Sequence, residues 1–192
     1  MVFVALCAAL QAAFLLTLPV YFTSALGLHI QATTALIAFL VVIAAAFQLV
    51  ALPRLLGRVG VTTTARWVLV VALCAAAFIG VMAGGVAAMV VLSAAILTVA
   101  AAAILTVAAA ALAPISTLLL AESYPGVPGG VAMSLNTSSA TTGQIVGPLI
   151  GYAAFAAGGS QALGLSCAAL ALCCAGTLGI RTWLKIKRAP GR

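Results

Sequence analysis

Residues Ala121 to Tyr152 read AESYPGVPGGVAMSLNTSSATTGQIVGPLIGY. Gly143, Gly147 and Gly151 recur every four residues, so on a helix they share one face. The missing side chains let a neighbouring backbone approach closely, and in lipid that approach is a main source of helix association. Pro148, beside the middle glycine, removes one helical donor and bends the helix. Membrane helices tolerate such a bend when a neighbour re-satisfies the freed carbonyl. The stretch therefore predicts a close-packed, bent helix inside a bundle. It also holds Glu122, the only acidic residue of the chain.

The rest of the chain is apolar enough to make that bundle a membrane protein. Of 192 residues, 66% are hydrophobic and 5% charged, with a mean hydropathy of +1.37, which excludes the soluble globular classes. A helix needs about 20 apolar residues to cross a hydrocarbon core of roughly 30 Å, so this length predicts six or seven crossings and leaves no room for a soluble domain. The partner implied directly is the lipid bilayer. A net charge of +7 would suggest nucleic acid for a soluble chain. Here the eight Lys and Arg fall in two clusters at helix ends, as membrane topology requires, and no nucleic-acid partner is expected.

In chain order the apolar runs predict spans at about 2–26, 31–52, 67–83, 86–120, 130–157 and 161–183, forming a single six-helix bundle. Three arginines, Arg54, Arg58 and Arg66, mark the connection Pro53 to Gly60 and its continuation as a cytoplasmic loop. The second basic cluster, Arg181, Lys185, Lys187, Arg188 and Arg192, follows the last span. Both clusters must face one side, so an even number of crossings separates them, and both termini are expected to be cytoplasmic. Glu122 is predicted beside the next cytoplasmic loop, Tyr124-Pro125, paired with an arginine of the neighbouring one.

That parity requires 86–120 to be one helix. Its 35 residues would extend about 52 Å, well beyond the hydrocarbon thickness. The excess has a visible source: Ala94 to Ala101 (AAILTVAA) is repeated without change as Ala102 to Ala109. It reads as a local duplication, and removing one copy leaves a helix of about 40 Å, which tilt accommodates.

The chemistry available is sparse. Cys7, Cys74, Cys167, Cys173 and Cys174 all lie in apolar runs, where free cysteine acts as a small buried hydrophobe. His29 stands alone in a short turn. With one His and one Glu, both near helix ends, no catalytic constellation and no metal site can be assembled, and neither enzyme activity nor a cofactor is expected. Hydrogen-bonding groups at membrane depth are instead the functional candidates: Gln11 and Tyr21 in the first span, Asn136 and Gln144 in the fifth. Thr137, Ser138, Ser139, Thr141 and Thr142 beside them either face a cavity or bond to their own helix.

Six spans, a basic loop after the second and this fifth span together resemble one half of a major facilitator superfamily transporter. Gly143-Gln-Ile-Val-Gly147-Pro148-Leu-Ile-Gly151-Tyr152 is similar to the G-x-x-x-G-P-x-x-G-G signature of its drug:proton antiporters, with Tyr152 in place of the last glycine. The basic loop resembles G-x-L-a-D-R-x-G-R, matched at Leu55, Arg58 and Gly60. Pro53, Gly57 and Val61 replace its first glycine, its acid and its last arginine. The lost acid and the basic tail look more like the carboxy-terminal half.

The resemblance implies a major-facilitator-like bundle in the plasma (inner) membrane that moves a small-molecule substrate, as in drug efflux. Because such transporters consist of two bundles around a midplane site, it implies a homodimer or a separate second six-helix half. Two alternatives stand beside it. The apolar start, without a basic leader, fits a nonfunctional fragment of a full-length transporter, and the glycine faces fit a membrane scaffold subunit.

Overall fold

A computed structural model describes residues 1–24, 27–82, 91–123 and 129–187, without the side chains at 80–82, 91–99, 122–123, 129, 181–182 and 184–187. These residues are almost entirely helical: α1 (Val2–Ser24), α2 (Ile30–Ala46), a π-helical turn (Phe47–Ala51), α3 (Leu52–Val59), α4 (Val61–Met82), α5 (Val91–Ser123) and α6 (Gly129–Lys187). Five helical stretches are long and apolar enough to cross a membrane: Val2–Ser24, Ile30–Val59, Val61–Ile79, Ala100–Ala121 and Gly130–Ile180. The chain is an all-α integral membrane protein.

The 51-residue stretch at the end is too long for one crossing, since it would extend about 76 Å. Its backbone leaves helical geometry at Gly158 (φ −154°, ψ 24°) and Gly159 (φ 61°, ψ −147°). The second of these needs the left-handed region that glycine occupies without strain. Contacts with α1 show what happens there. Ser139 donates to Met1 Sδ at 3.1 Å and Tyr152 donates to the Leu16 carbonyl at 2.7 Å, so 129–157 runs parallel to α1. Cys174 then returns to Cys7, with the two sulfurs 3.9 Å apart. Beyond Gly159 the chain therefore folds back along its own first part.

α1 is apolar on every side and occupies the middle of the packing, with Leu10, Ala13, Phe14, Leu18 and Phe22 fully enclosed. α5 contributes Leu105, Leu112 and Ile115 to the same core, and 160–187 contributes Cys167 and Cys174. α2 sits at the rim, and Phe39, Val42 and Leu49 point away from the protein.

One expected loop is not a loop. The arginine-bearing segment Pro53 to Gly60 continues the second helix as α3, and the turn shrinks to Gly60 at φ 84°. Proline reads as a helix breaker because its ring collides with the carbonyl four residues earlier, here that of Leu49. The π-helical turn widens the backbone at that place, with Leu52 N–H donating to the Phe47 carbonyl five residues back, and Pro53 then sits in the first turn of α3. Arg54 and Arg58 consequently lie one turn apart on a helix. α4 also starts at Val61, six residues before the expected Trp67.

Within α5, the second copy of the repeat is built into the core. Ala102, Leu105, Thr106, Ala108 and Ala109 are all buried. The side chains of the first copy lie outside the described residues up to Val99, as does the loop 124–128. Arg66 shares a groove with Leu178 and Gly179, so the start of α4 and the last turns of α6 occupy the same end of the bundle.

Candidate functional site

The glycine ladder does not itself bind; it sets the spacing of the site. Gly143, Gly147 and Gly151 are buried against α1, where they face the carbonyls of Ala5, Ala9 and Ala13 in turn. A Cβ on Gly151 would stand 2.6 Å from the Ala13 oxygen and 2.9 Å from Thr17 Cγ2, and those on Gly143 and Gly147 would penetrate deeper. Only glycine permits this backbone-to-backbone contact, in which Cα–H groups approach carbonyl oxygens. Pro148 follows Gly147 within the same helix and is half-buried.

Next to that seam a cavity of about 250 Å3 opens between α1, α5 and 129–157. Three of the four candidates from the sequence meet there: Gln11, Asn136 and Gln144. α5 adds Ser116 and Thr117, beside Pro114. Asn136 Nδ2 donates to Thr117 Oγ1 at 3.1 Å, which ties 129–157 to α5 across the cavity. Asn136 Oδ1 is buried and accepts nothing among the described residues. An enclosed carbonyl oxygen without a donor costs free energy unless a ligand or water supplies one. Gln11 and Gln144 likewise make no hydrogen bond among the described residues and keep their amides available. The lining carries no charge. Such a cavity can hold an uncharged molecule that donates at least one hydrogen bond.

Tyr21 lies elsewhere. It is buried beside Phe22, with ring centroids 5.7 Å apart, and does not line the cavity. The hydroxyls of the fifth span are also not cavity groups. Thr137, Thr141 and Thr142 each bond the carbonyl four residues back at 2.9 Å, and Ser134 bonds that of Val131. A short β-hydroxyl reaches its own helix and needs no other partner, whereas the longer amides of Asn136 and Gln144 cannot do so as readily. Sequence reasoning missed Ser116 and Thr117. Their signal was Pro114-Ile-Ser-Thr117, a polar interruption in an alanine-leucine run.

Of the remaining candidates, Arg54 and Arg58 are exposed on α3 and Gly60 forms the turn into α4. Glu122 falls in the last turn of α5, and its expected pairing with an arginine lies outside the described residues. Among the described residues no group of His, Cys, Asp or Glu could hold a metal ion. Compared with protein-family models, curated proteins and solved structures, the chain matches none.

Proposed function

We propose that the chain is a membrane transport subunit, one six-helix bundle of the major-facilitator type serving small-molecule or drug efflux, completed by a second bundle. The observation that carries this is the uncharged polar cavity with its unpartnered Asn136 Oδ1, because polar groups inside a membrane are costly and are kept where they face a substrate path. Counting α6 as two crossings about Gly158–Gly159 makes six. On the positive-inside rule, the end that carries Arg66 and the last turns of α6 is read as cytoplasmic, with both termini there and the bundle in the plasma (inner) membrane.

A second bundle is supported by the open side of 129–157. Opposite the glycine ladder, Ser138 and the self-bonded Thr141 and Thr142 alternate with the exposed Leu135, Ile145 and Leu149, a face of small residues on which another helix packs closely. A homodimer about an axis along the membrane normal needs no inversion of either copy.

Reconstituted proteoliposomes test the proposal directly. The chain should release a panel of uncharged or weakly charged dyes faster than empty vesicles, and Asn136→Leu should abolish release while leaving the melting temperature within a few degrees. Native mass in nanodiscs should correspond to a dimer. A monomer without transport would instead identify a fragment, and a transport-inactive complex with another protein would identify a scaffold.

A further inference from the structure

Charge bookkeeping leaves this protein with cations that it cannot neutralise. Eight Lys and Arg stand against one carboxylate, giving a net +7, so at least seven need counterions from outside the chain. Arg54, Arg58 and Arg66 are exposed and form no ion pair among the described residues. They are fixed on helices, at one end of the bundle. Anions are available at that depth mainly as phospholipid phosphates, and each basic group near an anionic surface contributes about 1 kcal/mol of attraction.

The surface below these arginines is shaped as well as charged. α4 carries Arg66 and Trp67 side by side, and each lines a different groove. The smaller groove, about 250 Å3, runs between α4 and 160–187, with Arg66 at its mouth and Leu69 and Leu73 along its wall. The larger, about 400 Å3, runs between α4, α5 and the second helix, with Trp67, Val71, Phe47 and Val107 in its wall and Leu55 of α3 at its basic end. Apart from that arginine, both are lined almost wholly by hydrocarbon. Trp67 is 65% exposed, as an aromatic group at the headgroup boundary would be.

We propose that this corner is a binding site for an anionic phospholipid: Arg66, with Arg54 and Arg58, takes the phosphate, Trp67 marks the glycerol level, and the two grooves on either side of α4 take the acyl chains. The assignment is independent of transport, since it concerns the outer surface of the bundle and none of the cavity residues. It commits to a lipid over a soluble phosphate because a free anion would leave both grooves unfilled. It commits to an anionic lipid over a zwitterionic one because the local charge is uncompensated.

The purified full chain, stripped of co-extracted lipid in mild detergent, should be titrated with phosphatidylglycerol and phosphatidylcholine of matched chains, with bound lipid counted by native mass spectrometry. Phosphatidylglycerol should be retained at least tenfold better and should raise the melting temperature more. Arg66→Gln should collapse that preference toward unity, whereas Arg66→Lys keeps most of it. Val71→Trp, which fills the larger groove from an exposed position, should reduce retention of both lipids. Equal retention of the two lipids by the unmodified chain would overturn the proposal, and so would an unchanged preference in Arg66→Gln. If glycerol 3-phosphate alone stabilised the protein as much as phosphatidylglycerol, the site would be one for a soluble phosphate and the lipid assignment would fall.

Discussion

Gln48 Nε2 donates a 2.7 Å hydrogen bond to the carbonyl of Ala110. That carbonyl stands four residues before Pro114, so the proline leaves it without its helical donor. The π-helical turn that accommodates Pro53 carries Gln48, and its side chain reaches across to α5. The turn that accommodates one proline thus carries the side chain that satisfies the carbonyl freed by the other. An unsatisfied carbonyl in hydrocarbon costs several kcal/mol, though measured interhelical bonds in bilayers average nearer 0.6 kcal/mol because alternative partners are found.

Gln48→Leu should therefore destabilise the detergent-solubilised protein by about 1 kcal/mol. The diagnostic is a double-mutant cycle. In a Pro114→Ala background the alanine supplies its own N–H to Ala110, and Gln48→Leu should then cost much less. Equal costs in both backgrounds would show that the bond does not serve the freed carbonyl.

Alanine at the ladder positions should be costly in proportion to the intrusion on α1. Gly143→Ala and Gly147→Ala push a methyl group into the carbonyls of Ala5 and Ala9, and overpacking of this kind costs about 1–3 kcal/mol or more. Gly176→Ala is the matched control, since a Cβ there meets nothing within 4 Å and alanine favours the helix by roughly 0.5–1 kcal/mol. Thermal melts of the three variants should order them accordingly. Similar melts for all three would remove the ladder from the packing.

The fold-back of α6 can be tested through sulfur chemistry. In a Cys74→Ser, Cys173→Ser background, mild thiol oxidation should consume Cys7 and Cys174, whose sulfurs lie 3.9 Å apart, and yield an intramolecular cross-link seen as a faster-migrating band. Adding Cys174→Ala should abolish it. Absence of the band under conditions in which mass spectrometry shows both thiols consumed would place 160–187 elsewhere.

Deleting Ala102 to Ala109 removes eight residues that occupy the core of α5, yet insertion and melting temperature should hold or improve. The deletion product is identical to one lacking Ala94 to Ala101, so the first copy moves into the vacated register and presents the same Ala, Leu and Thr side chains to α1 and α4. Only the amino-terminal end of α5 shortens, by about 12 Å. A clear fall in melting temperature would show that the outer turns carry contacts of their own.

Membrane residence was legible in the sequence because bulk hydropathy depends on no partner. The ladder was legible too, since glycines four apart share a helix face whatever they meet. What escaped depended on tertiary context. Pro53 and Gly60 promise a loop by local chemistry, and only the widened turn before them lets the helix continue. Tyr21 looked like a cavity group from its hydroxyl, but its ring is claimed by the core beside Phe22. Asn136, Gln11 and Gln144 could be singled out as amides at membrane depth. Their convergence, and the share taken by Ser116 and Thr117, required knowing which faces of α1 and α5 meet.

The carbonyl row of α1 has a further consequence, for biosynthesis. Ala5, Ala9 and Ala13 wait for Gly143, Gly147 and Gly151, which emerge from the ribosome 138 residues later. At about 5–20 residues per second that delay is on the order of ten seconds, long after the helix itself has formed. The helix at the centre of the bundle is thus made well before the helix whose glycines enclose it. Through that interval its seam must be shielded by lipid or by the insertion machinery, so an interrupted translation product ending before residue 143 leaves an exposed α1 for quality control to recognise.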